Sequence, residues 1–353
     1  MGEGGKTVSC TSSRCDVCPI CGSTDRDPFC TGFDRLYPRA ETFDYVKCRA
    51  CQMVYMSPMP APEAIARFYG SDYHPHRQAQ AKKIEERLSR PFNRFLVEHY
   101  LGARSPRSGP VRALARLLSH FGMEDTLAPH GQCRLLDVGC GSARWLYRHH
   151  LLGWRAEGVD LVPEACQKAH ALGLTIYEGD IFAVARDSRY DVIAFRSVLE
   201  HVPNPLETMG RARDLVASDG SVLVLVPNID SWSFSRYGIF WYPLDPPRHL
   251  LHFSPQTLLL LGERAGLRPI EIRTLPSTRW IVYSRRYARV FPLDSLQRRD
   301  PEERKALIEK ASSFARNGRY GGPLLSALTR WQSTIQARRG RGEKILAIFR
   351  RAG

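Results

Sequence analysis

The sequence predicts an α/β protein with a doubly wound parallel sheet, and three observations support that prediction. Residues 135–146 join a short apolar run to a glycine-rich turn and then to a helical pattern. Residues 155–160 form a second strand-like run, which ends in an acidic residue. From Arg134 onward, strand-like and helix-like stretches alternate, as a parallel sheet with helical crossovers requires.

This alternation predicts the elements in order. Strands are expected at 134–139, 155–160, 175–178, 190–196, 221–226 and 268–274. Helices are expected at 143–152, 163–172, 205–217 and 255–266. Pro255 opens the last of these helices, because proline suits the first helical position.

The glycine-rich turn is the first candidate for ligand binding. Gly139 and Gly141 lack a Cβ, so the backbone can bend sharply and a ligand can lie against it. Asp137 is placed to order the turn, and Asp160 to accept hydrogen bonds from ribose hydroxyls. The alternative for both acids is capping of a strand end. Arg144 stands where a dinucleotide-binding pattern has its third glycine, so that pattern does not apply.

Four segments in order resemble motifs of the class I S-adenosylmethionine (SAM)-dependent methyltransferases. They are D-V-G-C-G-S-A at 137–143, G-V-D at 158–160, E-G-D at 178–180 and L-E-H-V at 199–202. The resemblance covers roughly residues 133–275, with Ala143 in place of the usual third glycine. It implies a Rossmann-like, seven-stranded sheet whose last strand, expected at 343–350, is antiparallel. A basic helical insertion at 276–341 would precede that strand.

The same resemblance implies which residues bind SAM. The glycine turn would line the methionine and ribose side, and Asp160 would bind the ribose hydroxyls. Asp180 and Ile181 would face the adenine, and the stretch from Arg196 to His201 would border the sulfonium. The expected cofactor-binding set is Asp137, Gly139, Cys140, Gly141, Asp160, Leu161, Asp180, Ile181 and Arg196.

Methyl transfer to oxygen or carbon also needs a base near neutral pH, which a histidine supplies. His201 is the first candidate, with bracing of its loop as the alternative role. The second candidate is the aromatic-rich stretch 227–254, whose D-P-P-R-H-L-x-H-F-S run resembles a methyltransferase branch linked to cell-surface glycan or secondary-metabolite modification. There His249 would act as a base or orient the acceptor. Arg248 would bind a phosphate or carboxylate of the acceptor, or else pair with a local carboxylate.

Two C-x-x-C pairs near the start of the chain predict a structural zinc ribbon. The expected ligands are Cys18, Cys21, Cys48 and Cys51. Four thiolates leave no open coordination position, so the metal would stabilise folding and take no part in catalysis. Cys15 or Cys30 remains an alternative for one ligand. Short ribbon strands are expected at 33–37 and 43–47.

These patterns divide the chain into four parts. They are a disordered tail at 1–14, the zinc ribbon at 15–60, a helical linker or lid at 61–130, and the methyltransferase domain at 131–353. Amphipathic helices at 82–100 and 111–121 would either bridge the ribbon to the core or cover the cofactor. Within the insertion, helices are expected at 300–315 and 323–338.

Composition restricts the class of protein and its partners. Hydrophobic residues at 43% and charged residues at 25% are typical of a soluble globular protein. The absence of a long apolar run and of a signal-like N-terminus favours a cytoplasmic location, with peripheral contact to the inner membrane face through 276–341 as an option. The net charge of +15 fits a polyanionic partner, although a uniformly basic protein would show it too.

The sequence therefore predicts a zinc-containing, SAM-dependent methyltransferase. The favoured acceptor is a small or lipid-linked metabolite, in particular a sugar or glycan intermediate that carries phosphate, or a secondary-metabolite intermediate. A ribosomal RNA methyltransferase that uses ribbon and basic surface is the first alternative. A non-catalytic SAM-binding scaffold with the ribbon as a docking module is the second.

Overall fold

The computed structural model describes residues 17–37, 41–69, 133–290 and 323–352, together with Leu127 and Ala306. The chain forms two compact units. The first comprises Met1–Gly70, Ser197–Gly210 and Val224–Gly353, and the second comprises Ser71–Arg196 and Arg211–Leu223. The predicted tail at 1–14, the helices at 82–100, 111–121 and 300–315, and Cys15 lie outside the described residues.

The elements follow one another in an order close to the predicted one. The strands are β1 Arg26–Phe33, β2 Thr42–Cys48, β3 Val54–Met56, β4 Arg134–Val138, β5 Arg155–Asp160, β6 Thr175–Glu178, β7 Tyr190–Arg196, β8 Val216–Pro227, β9 Leu251–His252, β10 Leu267–Leu275 and β11 Lys344–Arg351. The helices are α1 Pro62–Ile65, α2 Arg144–Leu151, α3 Pro163–His170, α4 Pro205–Leu215, α5 Trp232–Tyr237, α6 Pro255–Arg264, α7 Thr278–Val290 and α8 Pro323–Arg338.

The larger sheet confirms the predicted fold class. Its seven strands are hydrogen-bonded in the order β10-β11-β8-β7-β4-β5-β6. Strand β4 runs parallel to both β5 and β7, whereas β11 runs antiparallel to β10. Residues 222–227 of β8 are buried without interruption, as expected for an inner strand covered on both faces. The last strand is therefore antiparallel, as predicted.

The smaller sheet lies in the first unit and differs from the predicted ribbon in two respects. Its order is β1-β2-β3-β9, and β9 comes from the segment that follows β8 in the larger sheet. The prediction of a strand at 33–37 is wrong, because β1 ends at Phe33. The next residue, Asp34, accepts hydrogen bonds through Oδ1 from the backbone N–H groups of Leu36 and Tyr37, and this turns the chain.

The insertion contributes two helices that the structure describes, α7 and α8. The expected helix at 323–338 is confirmed. Helix α7 packs within the first unit, where Tyr287 joins a buried cluster with Phe33 and Phe240. The Ser284 hydroxyl also accepts a hydrogen bond from the backbone N–H of Tyr242 at 2.8 Å. One face of this basic helix is therefore part of a core, next to the aromatic-rich stretch 227–254.

Among the described residues, we find no helix whose length and apolar character would allow it to cross a membrane.

Two helical glycines give a matched test of the packing. A Cβ at Gly262 in α6 would overlap the ring of Phe349, whereas a Cβ at Gly210 in α4 would meet nothing within 4 Å. We expect Gly262→Ala to lower the free energy of unfolding by about 1–3 kcal/mol, because overpacking outweighs the better helix propensity of alanine. Gly210→Ala should raise it by up to about 1 kcal/mol. Urea denaturation of both variants checks this, and equal effects would contradict it.

Candidate functional site

The conformation of the turn after β4 is fixed by backbone hydrogen bonds and by the carboxylate of Asp160. Gly139 and Gly141 have φ angles of 66° and 51°, which glycine adopts without strain. The backbone N–H of Gly139 donates to the Val159 carbonyl at 2.8 Å. Asp160 accepts hydrogen bonds from the N–H of Gly141 at 2.7 Å and from that of Val162 at 3.0 Å. Asp160 thus fixes the turn, in addition to its predicted role toward a ribose.

Two exposed apolar side chains lie beside the acids of this region. Leu161, next to Asp160, is 73% exposed, and Phe182 is 52% exposed. The Asp180 carboxylate accepts a hydrogen bond from the Phe182 N–H at 2.9 Å, which starts a short 3-10 turn. Ile181 was expected to face the adenine, but it is only 1% exposed. Phe182 is therefore the residue of this pair that can contact a flat apolar ligand.

The other predicted cofactor residues lie around the same turn. Asp137 and Cys140 are buried, and burial raises the pKa of the Cys140 thiol well above its ordinary value. Cys140 is consequently a neutral packing residue. The Arg196 guanidinium lies over the Trp145 ring, 4.5 Å from its centroid. Arg196 thus lies against Trp145 of α2, the helix that follows the glycine turn.

The first unit brings His201 and His249 together. Their rings meet edge to face with centroids 4.6 Å apart. His201 Nδ1 lies 2.9 Å from the Arg248 carbonyl oxygen and 3.0 Å from the Tyr69 hydroxyl. His249 Nδ1 lies 2.6 Å from the Pro243 carbonyl oxygen. Because a carbonyl can only accept, each Nδ1 carries the proton, and each Nε2 is left with a lone pair.

Burial places these histidines in the neutral form. It lowers the pKa of His201 to about 3 and that of His249 to about 4. Both rings are thus unprotonated near neutral pH and are able to accept a proton. They differ from exposed histidines, which are partly charged at that pH.

Glu200 is a residue that the sequence prediction missed, although it lies in the L-E-H-V segment. Its side chain is fully buried, and neither carboxyl oxygen has a hydrogen-bond partner within normal distance in the described part of the chain. Burial raises the pKa of Glu200 to about 8, so the carboxyl group is mostly protonated at pH 7. The group therefore adds no negative charge beside the neighbouring histidines.

Glu200, His201 and His249 form a compact group. Each offers one possible ligand atom, and these atoms lie within 4.8 Å of one another. Such a group can exchange a proton or coordinate a cation. Burial lowers the pKa of both histidines most; among the nearby charges, Asp245 acts to raise it and Arg248 acts to lower it by less. Because burial leaves both rings unprotonated with a lone pair on Nε2, either ring can accept a proton from a ligand.

Arg248 differs from the expectation that it binds an acceptor anion. Its side chain is 0% exposed and donates to Asp34 at 2.9 and 3.1 Å and to Asp245 at 2.7 and 3.0 Å. It also donates to the Phe68 carbonyl at 3.3 Å. Burial acts to raise the pKa of Asp245, but the charge and hydrogen bonds of Arg248 bring it below its ordinary value. Arg248 thus pairs with the local carboxylate of Asp245, which was the alternative prediction. It also pairs with Asp34, which is far away in the sequence.

Four cysteine sulfurs converge in the first unit. Cys18 Sγ lies 3.4 Å from Cys51 Sγ, and Cys21 Sγ lies 3.5 Å from Cys48 Sγ. All four sulfurs lie within 4.8 Å of one another. Tetrahedral zinc with bonds of about 2.3 Å requires sulfur–sulfur separations of about 3.8 Å, so the donor set fits that ion. The predicted four cysteines are the ones brought together, and Cys30 is not among them.

Comparison with known proteins gives a family match. Residues 73–272, more than half of the chain, match the model of a methyltransferase domain. The ubiquinone biosynthesis O-methyltransferase of Cereibacter sphaeroides is 30% identical over 156 residues, which are 40% of this chain and 63% of that protein. A protein of the same name from Thiobacillus denitrificans is 25% identical over 162 residues, or 42% of this chain and 70% of that protein. The chain thus spans less than two thirds of the Cereibacter relative.

Solved structures give more distant similarities. The 1,6-didemethyltoxoflavin-N1-methyltransferase of Burkholderia thailandensis is 19% identical, with a TM-score of 0.37, over 65% of this chain and 90% of that chain. A coclaurine N-methyltransferase is 12% identical, with a TM-score of 0.41, over 82% of this chain and 93% of that chain. At this level, the two structures carry no information about a shared substrate.

His252 gives a test of the burial that keeps these histidines neutral. It is 1% exposed, neither ring nitrogen has a hydrogen-bond partner within the described residues, and burial lowers its pKa to about 3. Below about pH 6.5, His252 therefore binds a proton in the unfolded chain but stays unprotonated in the folded state. Between about pH 6.5 and pH 3, each pH unit of acidification therefore lowers the free energy of unfolding by about 1.4 kcal/mol through this residue.

We expect His252→Phe to remove this contribution. At pH 7 the free energy of unfolding should fall by about 1–3 kcal/mol, because the larger phenyl ring must be accommodated in a buried site, although the substitution leaves no hydrogen-bond partner unpaired. Between pH 7 and pH 5 the variant should lose about 2 kcal/mol less than the wild type. Urea denaturation at both pH values measures this. The same loss in both proteins would show that His252 titrates normally.

Proposed function

Because this chain belongs to the methyltransferase domain family, we propose that it is an enzyme that transfers the methyl group of SAM to a small or lipid-linked metabolite. The observation on which this proposal chiefly rests is the pair of neutral histidines, His201 and His249, beside the protonated acid Glu200. A fold kept only to bind SAM needs no such group. The relatives described above, which are named O-methyltransferases, favour oxygen as the methylated atom.

SAM fits the residues of the second unit. The Gly139–Gly141 turn presents backbone without side chains, Asp160 offers carboxylate oxygens for ribose hydroxyls, and the exposed Leu161 and Phe182 suit the faces of an adenine. Asp180 lies next to Phe182 and would orient that end. When bound, SAM supplies a methyl group that its positive sulfur activates for transfer.

The chain's own contribution to the reaction is positioning and proton removal. His249 holds its Nδ1 proton against the Pro243 carbonyl, so Nε2 can take a proton from an acceptor hydroxyl. His201 is held in the same tautomer by the Arg248 carbonyl. Glu200 is fully buried and protonated at neutral pH, so it adds no negative charge beside the two histidines. Precise positioning of this kind accounts for much of the rate in a displacement reaction.

The acceptor proposal follows from the stretch 227–254 and its surroundings. Tyr242 stacks on Tyr287 with ring centroids 6.0 Å apart, and it meets Tyr283 at 4.9 Å. Tyr287 belongs to the buried cluster with Phe33 and Phe240, so these contacts fix the conformation of the stretch and do not by themselves line a pocket. A sugar or glycan intermediate remains our prediction for the acceptor. Because Arg248 is fully paired, any phosphate on the acceptor would need a different partner.

The basic residues of this region do not decide for or against RNA as the acceptor. Arg35 is buried and lies over Tyr287 at 4.8 Å, so it is not available to a phosphate. Arg279 and Arg289 are exposed, and the labelling experiment below distinguishes RNA from a small acceptor. Cytoplasmic location and peripheral membrane contact remain predictions from the sequence.

We further propose that the four cysteines bind a structural zinc ion. The fit of the sulfur positions supports this, as does the closed set of four ligands. Zinc would join the two ends of the ribbon, since Cys18 and Cys21 precede β1, and Cys48 and Cys51 follow the main part of β2. Its role would be in folding, because no coordination position is left for a substrate.

The enzymatic proposal is tested with purified protein, methyl-labelled SAM and fractionated extract of its own host. We expect formation of S-adenosylhomocysteine over many turnovers, with label in a small-molecule, glycan or lipid fraction. His249→Ala and His201→Ala should each lower turnover about 100-fold or more, because a general base is lost. SAM affinity, measured by calorimetry, should change less than twofold.

The matched control is His150→Ala, which removes an exposed histidine of α2 and should leave turnover unchanged. Label in RNA would contradict the acceptor proposal. SAM binding without turnover on any fraction would favour the scaffold alternative.

The zinc proposal predicts one zinc ion per chain by elemental analysis. Cys21→Ser should lower zinc content and the melting temperature, because it removes one of four ligands. Cys30→Ser should leave zinc content unchanged, since Cys30 lies within β1 and outside the sulfur cluster. If the Cys30 variant lost zinc and the Cys21 variant did not, the proposed set of four ligands would be wrong.

A further inference from the structure

We propose that the ribbon is a positioning component of the acceptor-binding segment, and that Asp34 exerts this effect through Arg248 on His201 and His249. This inference rests on the function proposed above, because it takes from there the role of His201 and His249 in proton removal. It assigns to the ribbon a role other than the docking of a partner protein. The segment concerned is 241–252, which we call the acceptor segment.

The acceptor segment completes the ribbon sheet. Strand β3 pairs antiparallel with β9, so that Val54 faces His252 and Tyr55 faces Leu251. The Met56 N–H also donates to the Leu250 carbonyl at 2.8 Å. A backbone ladder fixes the register of both partners. The outer edge of β3 is therefore used within the chain and is not a free edge for a partner.

A buried ion cluster joins the same two parts. Asp34 follows β1, and both of its carboxylate oxygens accept hydrogen bonds from Arg248, 214 positions along the chain. Both side chains are 0% exposed. Asp245 holds the other donors of the guanidinium. Removing one carboxylate would leave a buried positive charge only partly compensated, so the arginine could not keep its position.

The position of Arg248 determines that of the histidines. Its carbonyl oxygen is the acceptor for His201 Nδ1, and the next residue is His249. From the ribbon, the Tyr45 hydroxyl donates to the His249 carbonyl at 2.8 Å. The ribbon thus constrains the backbone on both sides of the peptide group that joins Arg248 to His249, while Pro243 fixes the ring of His249.

Two further contacts connect the ribbon to the start of the acceptor segment. The Arg35 guanidinium donates to the carbonyls of Trp241 at 2.9 Å and Tyr242 at 3.2 Å. Gly32 approaches Pro246 so closely that a Cβ would lie 2.6 Å from the proline Cγ. The ribbon thus contacts the acceptor segment from its first residue to its last. An independent docking module would need no such set of contacts.

The first test compares Asp34→Asn with Asp27→Asn. Asparagine keeps the size of Asp34 and its turn hydrogen bonds but removes the charge. Asp27 is an exposed ribbon acid that pairs with Arg49, so its variant is the matched control. For Asp34→Asn we expect turnover on the active host fraction to fall at least tenfold. SAM affinity by calorimetry and zinc content should match the wild type. Asp27→Asn should match the wild type in every respect.

A second readout does not depend on an acceptor. In protein labelled with ¹⁵N-histidine, Asp34→Asn should shift the NMR signals of the ring nitrogens of His201 and His249. These signals are assigned by their disappearance in the variants His201→Asn and His249→Asn. The signals of His150 and His170 should stay in place. Unshifted signals of His201 and His249 would overturn the inference even if turnover fell.

Gly32→Ala provides a variant that keeps every charge paired, in case Asp34→Asn fails to fold. The new methyl group must displace Pro246, so we again expect shifted signals of His201 and His249 with unchanged SAM affinity. Unshifted signals would overturn the inference. If the wild type produces no S-adenosylhomocysteine with any fraction, the proposed function fails, while the histidine signals still decide whether the ribbon positions these rings.

Discussion

The positive charge of Arg248, buried without solvent contact, is the constraint on which the first unit depends. A buried guanidinium must have its charge compensated and its donors satisfied, and here Asp34 and Asp245 do both. These two acids come from parts of the chain that are far apart in sequence. The charge therefore fixes the ribbon and the segment around His249 in one arrangement, because any other arrangement would leave an ion unpaired.

The two units would contribute to the proposed function by different physical means. In the second unit, backbone N–H groups, glycine conformations and Asp160 build a rigid turn. This kind of site needs few side chains, and short sequence motifs suffice to specify it. In the first unit, burial changes the protonation of His201, His249 and Glu200, and their proton chemistry results from their surroundings.

This difference explains what the sequence could predict. The strands of the larger sheet, the glycine turn and the clustering of four cysteines depend on local patterns, and the structure agrees with these predictions. The pairing of Arg248 with Asp34 joins residues 214 positions apart, and β9 has only two residues, so no local pattern reveals either. The strand expected at 33–37 was wrong for a related reason, since the Asp34 side chain caps a turn there. Glu200 was missed because a motif shows its presence but not its burial.

The central claim is that ribbon and acceptor segment form one structural unit. Hydrogen exchange measured by mass spectrometry, with and without a zinc chelator, tests it most directly. The account predicts that chelation deprotects the backbone amides of the ribbon and those of residues 248–253 together, while residues 134–138 and 190–196 keep their protection. Loss of protection in the ribbon alone, with residues 248–253 unchanged, would contradict it.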